Sequence, residues 1–296
     1  MTSKTKGLLA LVASAFGFAV MAAFVRLADD FGESLPTVQK AFFRNAVALT
    51  IAIFALAKSN LHQSKDFAGL VSALAKSPKA LLTILLRSAL GTCGIFANFY
   101  ALSRIPIAEG QTLNKTAPFF TVVFAWIFLG EKTTLRQCAA ILIAFAGVVL
   151  VAKPGFAGAN SLAMAVGLSG GLFAGAAYAL VRSLRRQGVD PAMIIAFFSA
   201  FSCLACIPFM MGNFAAMTLA QVAILIGAGA GAAIGQFGIT LAYGYAAPGE
   251  IAAWDYTNII FTGILGLVLF GQTLDAFSIA GFALIVIAAK AISKTR

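Results

Sequence analysis

Four charged residues interrupt otherwise apolar stretches: Arg44, Arg87, Lys115 and Asp255. A charge at membrane depth is expensive and faces a cavity or a partner, so the chemistry of this chain concentrates at these positions. Lys115 lies nine residues beyond Pro106, about 13 Å along a helix, and Asp255 seven beyond Pro248, about 10 Å. On helices running in opposite directions the two charges approach one another near the midplane, either as a structural ion pair or around one ligand. If both arginines also turn inward, three cations against one carboxylate favour an anionic or zwitterionic ligand; otherwise they extend to an interface. Asn98, Tyr100, Gln111, Asn114, Tyr178, Gln236, Trp254, Tyr256 and Asn258 are expected to complete a binding wall, since ligand pockets are mostly apolar with a few placed polar groups. Asp255 is also the expected proton carrier, because a carboxylate in low-dielectric surroundings readily takes up a proton. Glu109 and Glu250 each open a helix near a proline. They either complement the helix dipole or serve as gates and proton relays at opposite mouths.

Other chemistries lack their residues. His62 is the single histidine and falls in a loop, and Cys93, Cys138, Cys203 and Cys206 all lie in apolar segments. The CxxC of Cys203 and Cys206 has no polar, accessible setting for redox work or zinc. The glycine-rich run 227–235 lacks the lysine and hydroxyl of a phosphate loop and is read as a place where helices approach closely. No catalytic residue, metal or cofactor is expected, and the chain is read as a non-enzyme. Intramembrane enzymes need paired aspartates, a serine–histidine dyad or a metal cluster. A channel or non-transporting sensor is the nearer alternative.

The elements that must hold these residues are set by composition. The 296 residues are 61% hydrophobic and only 10% charged, against about 25% charged in soluble domains, and mean hydropathy is +0.95. The expectation is an all-α integral membrane protein with ten transmembrane helices, near 7–27, 36–57, 80–103, 106–129, 134–152, 160–184, 191–211, 217–245, 249–270 and 275–292. The alternation of a membrane β-barrel is missing. The formal charge of +11 does not point to nucleic acid, because the basic residues cluster between apolar runs. Alternating the loops puts fourteen Lys and Arg on the side of Lys4 and Lys6 and three, Arg26, Arg104 and Lys153, on the other. That asymmetry places both termini in the cytoplasm.

Sliding the chain against itself by 141 residues sets Gly94, Phe96, Ala101, Glu109, Phe120, Thr121, Gly130 and Ala139 on Gly235, Phe237, Ala242, Glu250, Phe261, Thr262, Gly271 and Ala280. The same shift sets Asn114 and Lys115 on Asp255 and Tyr256. AFVR at 23–26 echoes as ALVR at 179–182. Glu109 and Glu250 begin a helix, and Gly130 and Gly271 end one. Two repeats follow, 1–155 and 156–296. Each has five helices, an odd number, so the second is expected to lie inverted in the membrane. Inverted repeats are a recurrent transporter architecture with substrate bound near the midplane.

The stretch FYALSRIPIAEGQTLNKTAPFFTVVFAWIFLGEKTTLRQCAAILIAFAGVVLV and its counterpart LAYGYAAPGEIAAWDYTNIIFTGILGLVLFGQTLDAFSIAGFALIVIAA resemble the half-repeats of the drug/metabolite transporter superfamily, EamA type. The resemblance covers nearly the whole chain and implies ten helices, two inverted five-helix repeats and a central cavity open alternately to each side. FYAL…IPIAE and APGEIAAWDYT are similar to a subgroup that includes S-adenosylmethionine and riboflavin carriers. One departure is plain: Gly130-Glu131 in the first repeat becomes Gly271-Gln272 in the second. The sequence-based reading is a secondary transporter in a bacterial inner (plasma) membrane. Its expected partners are a small-molecule substrate and membrane lipid, without nucleic acid, and it acts as a monomer or a homodimer.

Overall fold

The computed structural model describes residues 2–63, 77–102, 104, 112–152, 160–271 and 274–293. Among these, every regular element is a helix. The first half contributes α1 (Ser3–Leu27), α2 (Thr37–Gln63), α3 (Pro78–Leu102), α4 (Ala117–Leu129) and α5 (Leu135–Ala152). The second contributes α6 (Ser161–Arg186), α7 (Pro191–Met210), α8 (Leu219–Tyr245), a single turn α9 (Pro248–Ile251), α10 (Thr257–Phe270) and α11 (Ala276–Ser293). A 3-10 turn, Ala252–Tyr256, joins α9 to α10. Among the described residues, eight helical stretches are long and apolar enough to cross a membrane, and Leu135–Val151 and Ala276–Ala291 are shorter apolar helices. Large apolar side chains such as Phe54, Leu204 and Val268 stand exposed. On a soluble protein so many would aggregate; here they are the lipid-facing surface of a multi-span membrane protein.

Two helices expected to be continuous are broken. Pro118 sits in the first turn of α4. Its ring excludes a helical hydrogen bond to residue 114, so the chain turns at Lys115 and Thr116 after a short helical stretch at 112–114. The second break, Ala252–Tyr256, contains no proline, yet it falls at the same place under the 141-residue shift. Thr116 Oγ1 donates to the carbonyl of Leu113 at 2.6 Å, and Thr257 Oγ1 donates to that of Trp254 at 2.7 Å. The next turn repeats the pattern: Thr121 donates to Ala117 and Thr262 to Asn258, both at 2.8 Å. Each hydroxyl occupies a carbonyl near the break. Gly130 and Gly271 end α4 and α10 with φ of 65° and 61°, the left-handed cap that glycine takes without a Cβ penalty.

Packing follows the same correspondence. Exchange α1 with α6, α2 with α7, α3 with α8, α4 with α10 and α5 with α11. The packed pair α1–α8 then becomes α3–α6, α1–α10 becomes α4–α6, and α2–α8 becomes α3–α7. The pairs α2–α7 and α5–α11 map onto themselves. The glycine-rich run does bring helices together: a Cβ on Gly17 of α1 would stand 2.6 Å from the Gly235 nitrogen of α8. The largest departure from the symmetry lies in one pair. α6 packs on α8, whereas among the described residues α1 and α3 make no comparable contact.

The candidate substrate cavity

The space between α1 and α3 is a cavity of about 330 Å³. Phe18, Met21, Ala22 and Val25 of α1 form one wall, and Arg87, Gly91, Gly94, Ile95 and Asn98 of α3 the opposite one. Thr37, Lys40, Ala41 and Arg44 of α2 follow the i, i+3, i+4, i+7 spacing of one helix face and line it together. Asn114, Lys115, Asp255 and Asn258 enter from the two broken helices, and Tyr178, Phe198 and Gln236 from α6, α7 and α8. Arg87, Tyr178, Phe198, Gln236 and Asp255 form the floor. Each lies seven to nine residues from the helix terminus at the end of the bundle that carries Glu131, about 10–13 Å deep. Val25 and Thr37 lie at the opposite end, beside the turn holding Asp29. The cavity therefore opens toward the Asp29 end and stops short of the Glu131 end.

Both arginines turn inward rather than toward an interface. Arg87 is 1% exposed. Its Nη2 donates to Gln236 Oε1 at 3.0 Å, and its guanidinium carbon stands 3.8 Å from the centre of the Phe198 ring. Among the described residues, Arg44 Nη1 meets only the Met21 sulfur, at 3.1 Å. Lys115 and Asp255 share the cavity without forming a salt bridge: Lys115 Nζ donates to Asn258 Oδ1 at 2.6 Å, and Asn258 in turn donates to the Ala15 carbonyl at 2.8 Å. The Asp255 carboxylate accepts no hydrogen bond among the described residues and faces the cavity. A closed structural ion pair is thus not what the geometry contains.

Of the residues singled out from sequence, Arg44, Arg87, Asn98, Asn114, Lys115, Tyr178, Gln236, Asp255 and Asn258 line this one space. Three do not. Trp254 packs against the large apolar core at the Glu131 end, and Tyr256 is fully buried among Val122, Ile141, Ala144 and Ile285. Successive residues of a 3-10 turn point about 120° apart, so Asp255 faces the cavity and its two neighbours face away. Tyr100 lies beside Ala101, Leu113 and Met164, under the Arg104 guanidinium. Glu250 lies at the closed end, where its carboxylate accepts the Ala247 N–H at 3.3 Å, a capping bond. Glu109, Gln111 and Gln272 fall outside the described residues. Sequence reasoning missed Lys40 and Phe198. The helical spacing of Lys40 to Arg44 was the available signal for the first; nothing local distinguished Phe198 from the other phenylalanines.

The closed end is tied by charge. Arg182 of α6 donates through Nε to Glu131 at 2.8 Å and through Nη1 to the Tyr243 carbonyl of α8 at 2.9 Å. Arg186 adds a contact to Glu131 at 3.4 Å. At the open end, Lys40 binds Asp29 at 2.6 Å, within the first two helices.

A multi-span helical protein with a polar central cavity between broken helices belongs to the class of membrane transporters. The chain is a member of the EamA-like transporter family, which matches residues 5–153. It is 29% identical over 291 residues to the pseudopaline exporter CntI of Pseudomonas aeruginosa, covering 98% of this chain and 96% of that one. It is 28% identical over 206 residues to a riboflavin transporter of Rhizobium johnstonii, covering 68% of this chain and 67% of that one. A crystal structure sharing 17% identity superposes with a TM-score of 0.77 over 95% of this chain and 96% of that chain, and so shares the fold.

Proposed function

We propose that the protein is a secondary active transporter that moves a small anionic or zwitterionic organic metabolite by alternating access, without chemical transformation of its cargo. The observation that carries this reading is the broken exchange symmetry. α6 and α8 are locked together at the Glu131 end while α1 and α3 stand apart around a cation-lined cavity. Exchanging the two arrangements would open the other end. The halves act as inverted repeats, 1–155 and 156–296, rocking about the cavity. The excess of Lys and Arg at the Glu131 end assigns that end to the cytoplasm and makes this an outward-open state. Relatives named for a pseudopaline exporter and a riboflavin transporter support an organic cargo. Asp255, unbonded in the cavity floor, is the proton-coupling group, and Lys115 and the arginines hold the anionic part of the cargo.

The test is exchange in proteoliposomes. Wild-type protein is expected to give saturable counterflow and gradient-driven accumulation of its substrate. Asp255→Asn is expected to keep a weakened counterflow and lose accumulation. Accumulation that survives this substitution removes Asp255 from the coupling step, and flux that never saturates replaces the carrier with a channel.

A further inference from the structure

Among the described residues, each unpaired cation in the cavity has only neutral partners. Arg44 touches a thioether, Arg87 an amide and an aromatic face, and Lys115 an amide. Arg44 Nε and both Arg87 Nε and Nη1 are buried with no hydrogen-bond partner. A buried donor left unmade is costly, more so on a charged group, and a buried charge without a countercharge is costlier still. Lys40 differs because Asp29 neutralises it. Among the described residues, the wall then carries three uncompensated cations and Asp255, a surplus of two positive charges. Asp255 has the converse need: a carboxylate facing the cavity with no donor.

Resting on the carrier reading above, we propose that the cargo is an amine-bearing polycarboxylate with a net charge of −2, its carboxylates held by Arg44, Arg87 and Lys115 and its ammonium by Asp255. Planar carboxylates suit the guanidinium fork. Asp255 is the specificity element, since it repels any anion lacking an amine. Neutral amino acids leave two cations unanswered, and cationic ones add to the surplus. About 330 Å³ holds a molecule of two fused amino-acid skeletons but not a large conjugate.

The experiment is binding to the full-length protein in lipid nanodiscs, by calorimetry and thermal shift, with five probes: N-(carboxymethyl)aspartate, succinate, glutamate, leucine and lysine. N-(Carboxymethyl)aspartate, the tricarboxylate with an amine, is expected to bind at least tenfold tighter than glutamate or succinate, and leucine and lysine not measurably. Arg87→Gln and Arg44→Gln are each expected to weaken it tenfold or more, with Arg87→Lys recovering part of the loss in a protein that melts as wild type. Asp255→Asn is expected to invert the preference between succinate and the amine-bearing probe. Equal binding of leucine, an unchanged preference in Asp255→Asn, or no binding by any probe at millimolar concentration overturns the charge assignment. Selective binding without exchange in liposomes would keep that assignment and overturn the carrier reading. Exchange of leucine or lysine alone would do the reverse.

Discussion

The two ends of the bundle are built from corresponding helices and hold themselves differently. At the Glu131 end one guanidinium, Arg182, ties the turn after α4 to the carbonyls that end α8, and its bond to Glu131 runs between the two halves. At the Asp29 end the ion pair, Lys40 with Asp29, joins positions only eleven residues apart within one half. Arg26, which the AFVR/ALVR echo sets opposite Arg182, lies over the Phe270 ring at 4.6 Å. The hydrogen bonds between halves at this end are between neutral groups: Gln39 with the Ala215 backbone, and Gln221 with the carbonyls of Ala28 and Glu33. Among the described residues, ion pairs therefore bridge the halves where the cavity is shut and stay within one half where it is open.

That contrast can be broken most directly at Glu131. Glu131→Gln leaves Arg182 partly buried without its countercharge and is expected to cost about 3 kcal/mol, the low end for removing one member of a buried pair. The corresponding drop is about 6–12 °C in melting temperature. Exchange should rise or fall sharply as the closed end loosens, and an unchanged melt would make the Arg182 contacts ornamental. The repeat correspondence is sharpened by Thr116→Val and Thr257→Val. Each removes one hydroxyl-to-carbonyl bond worth about 1 kcal/mol, and the two melts should fall equally, by about 2–4 °C. A difference larger than that shift would mean the breaks are held by unlike forces. Asp29→Asn should do least, because its carboxylate is a third exposed: about 1 kcal/mol or less, read as a small melting shift that shrinks in high salt.

Much of the site was legible in the chain. Depth counted from Pro106 and Pro248 put Lys115 and Asp255 in one layer, and the 141-residue shift located equivalent positions. The same shift also sets Thr116 on Thr257, an identity that marks both helix breaks and is easily passed over among apolar neighbours. Trp254 and Tyr256 were expected on the wall beside Asp255, but successive residues of the 3-10 turn there point in different directions. Tyr100 was misread because proximity in sequence to Asn98 does not fix a shared face.

The sequence by itself determined what a membrane must be offered: apolar runs of spanning length, loops sorted by charge, and a few polar residues too costly to face lipid. Those are local properties, written in composition and spacing. Which polar residues meet, whether Lys115 bonds Asp255 or Asn258, and which end is shut depend on contacts between residues more than a hundred positions apart. Only the tertiary structure decided them, because hydrogen bonds and cavities are properties of distance in space, and a two-fold sequence repeat is equally compatible with either end being closed.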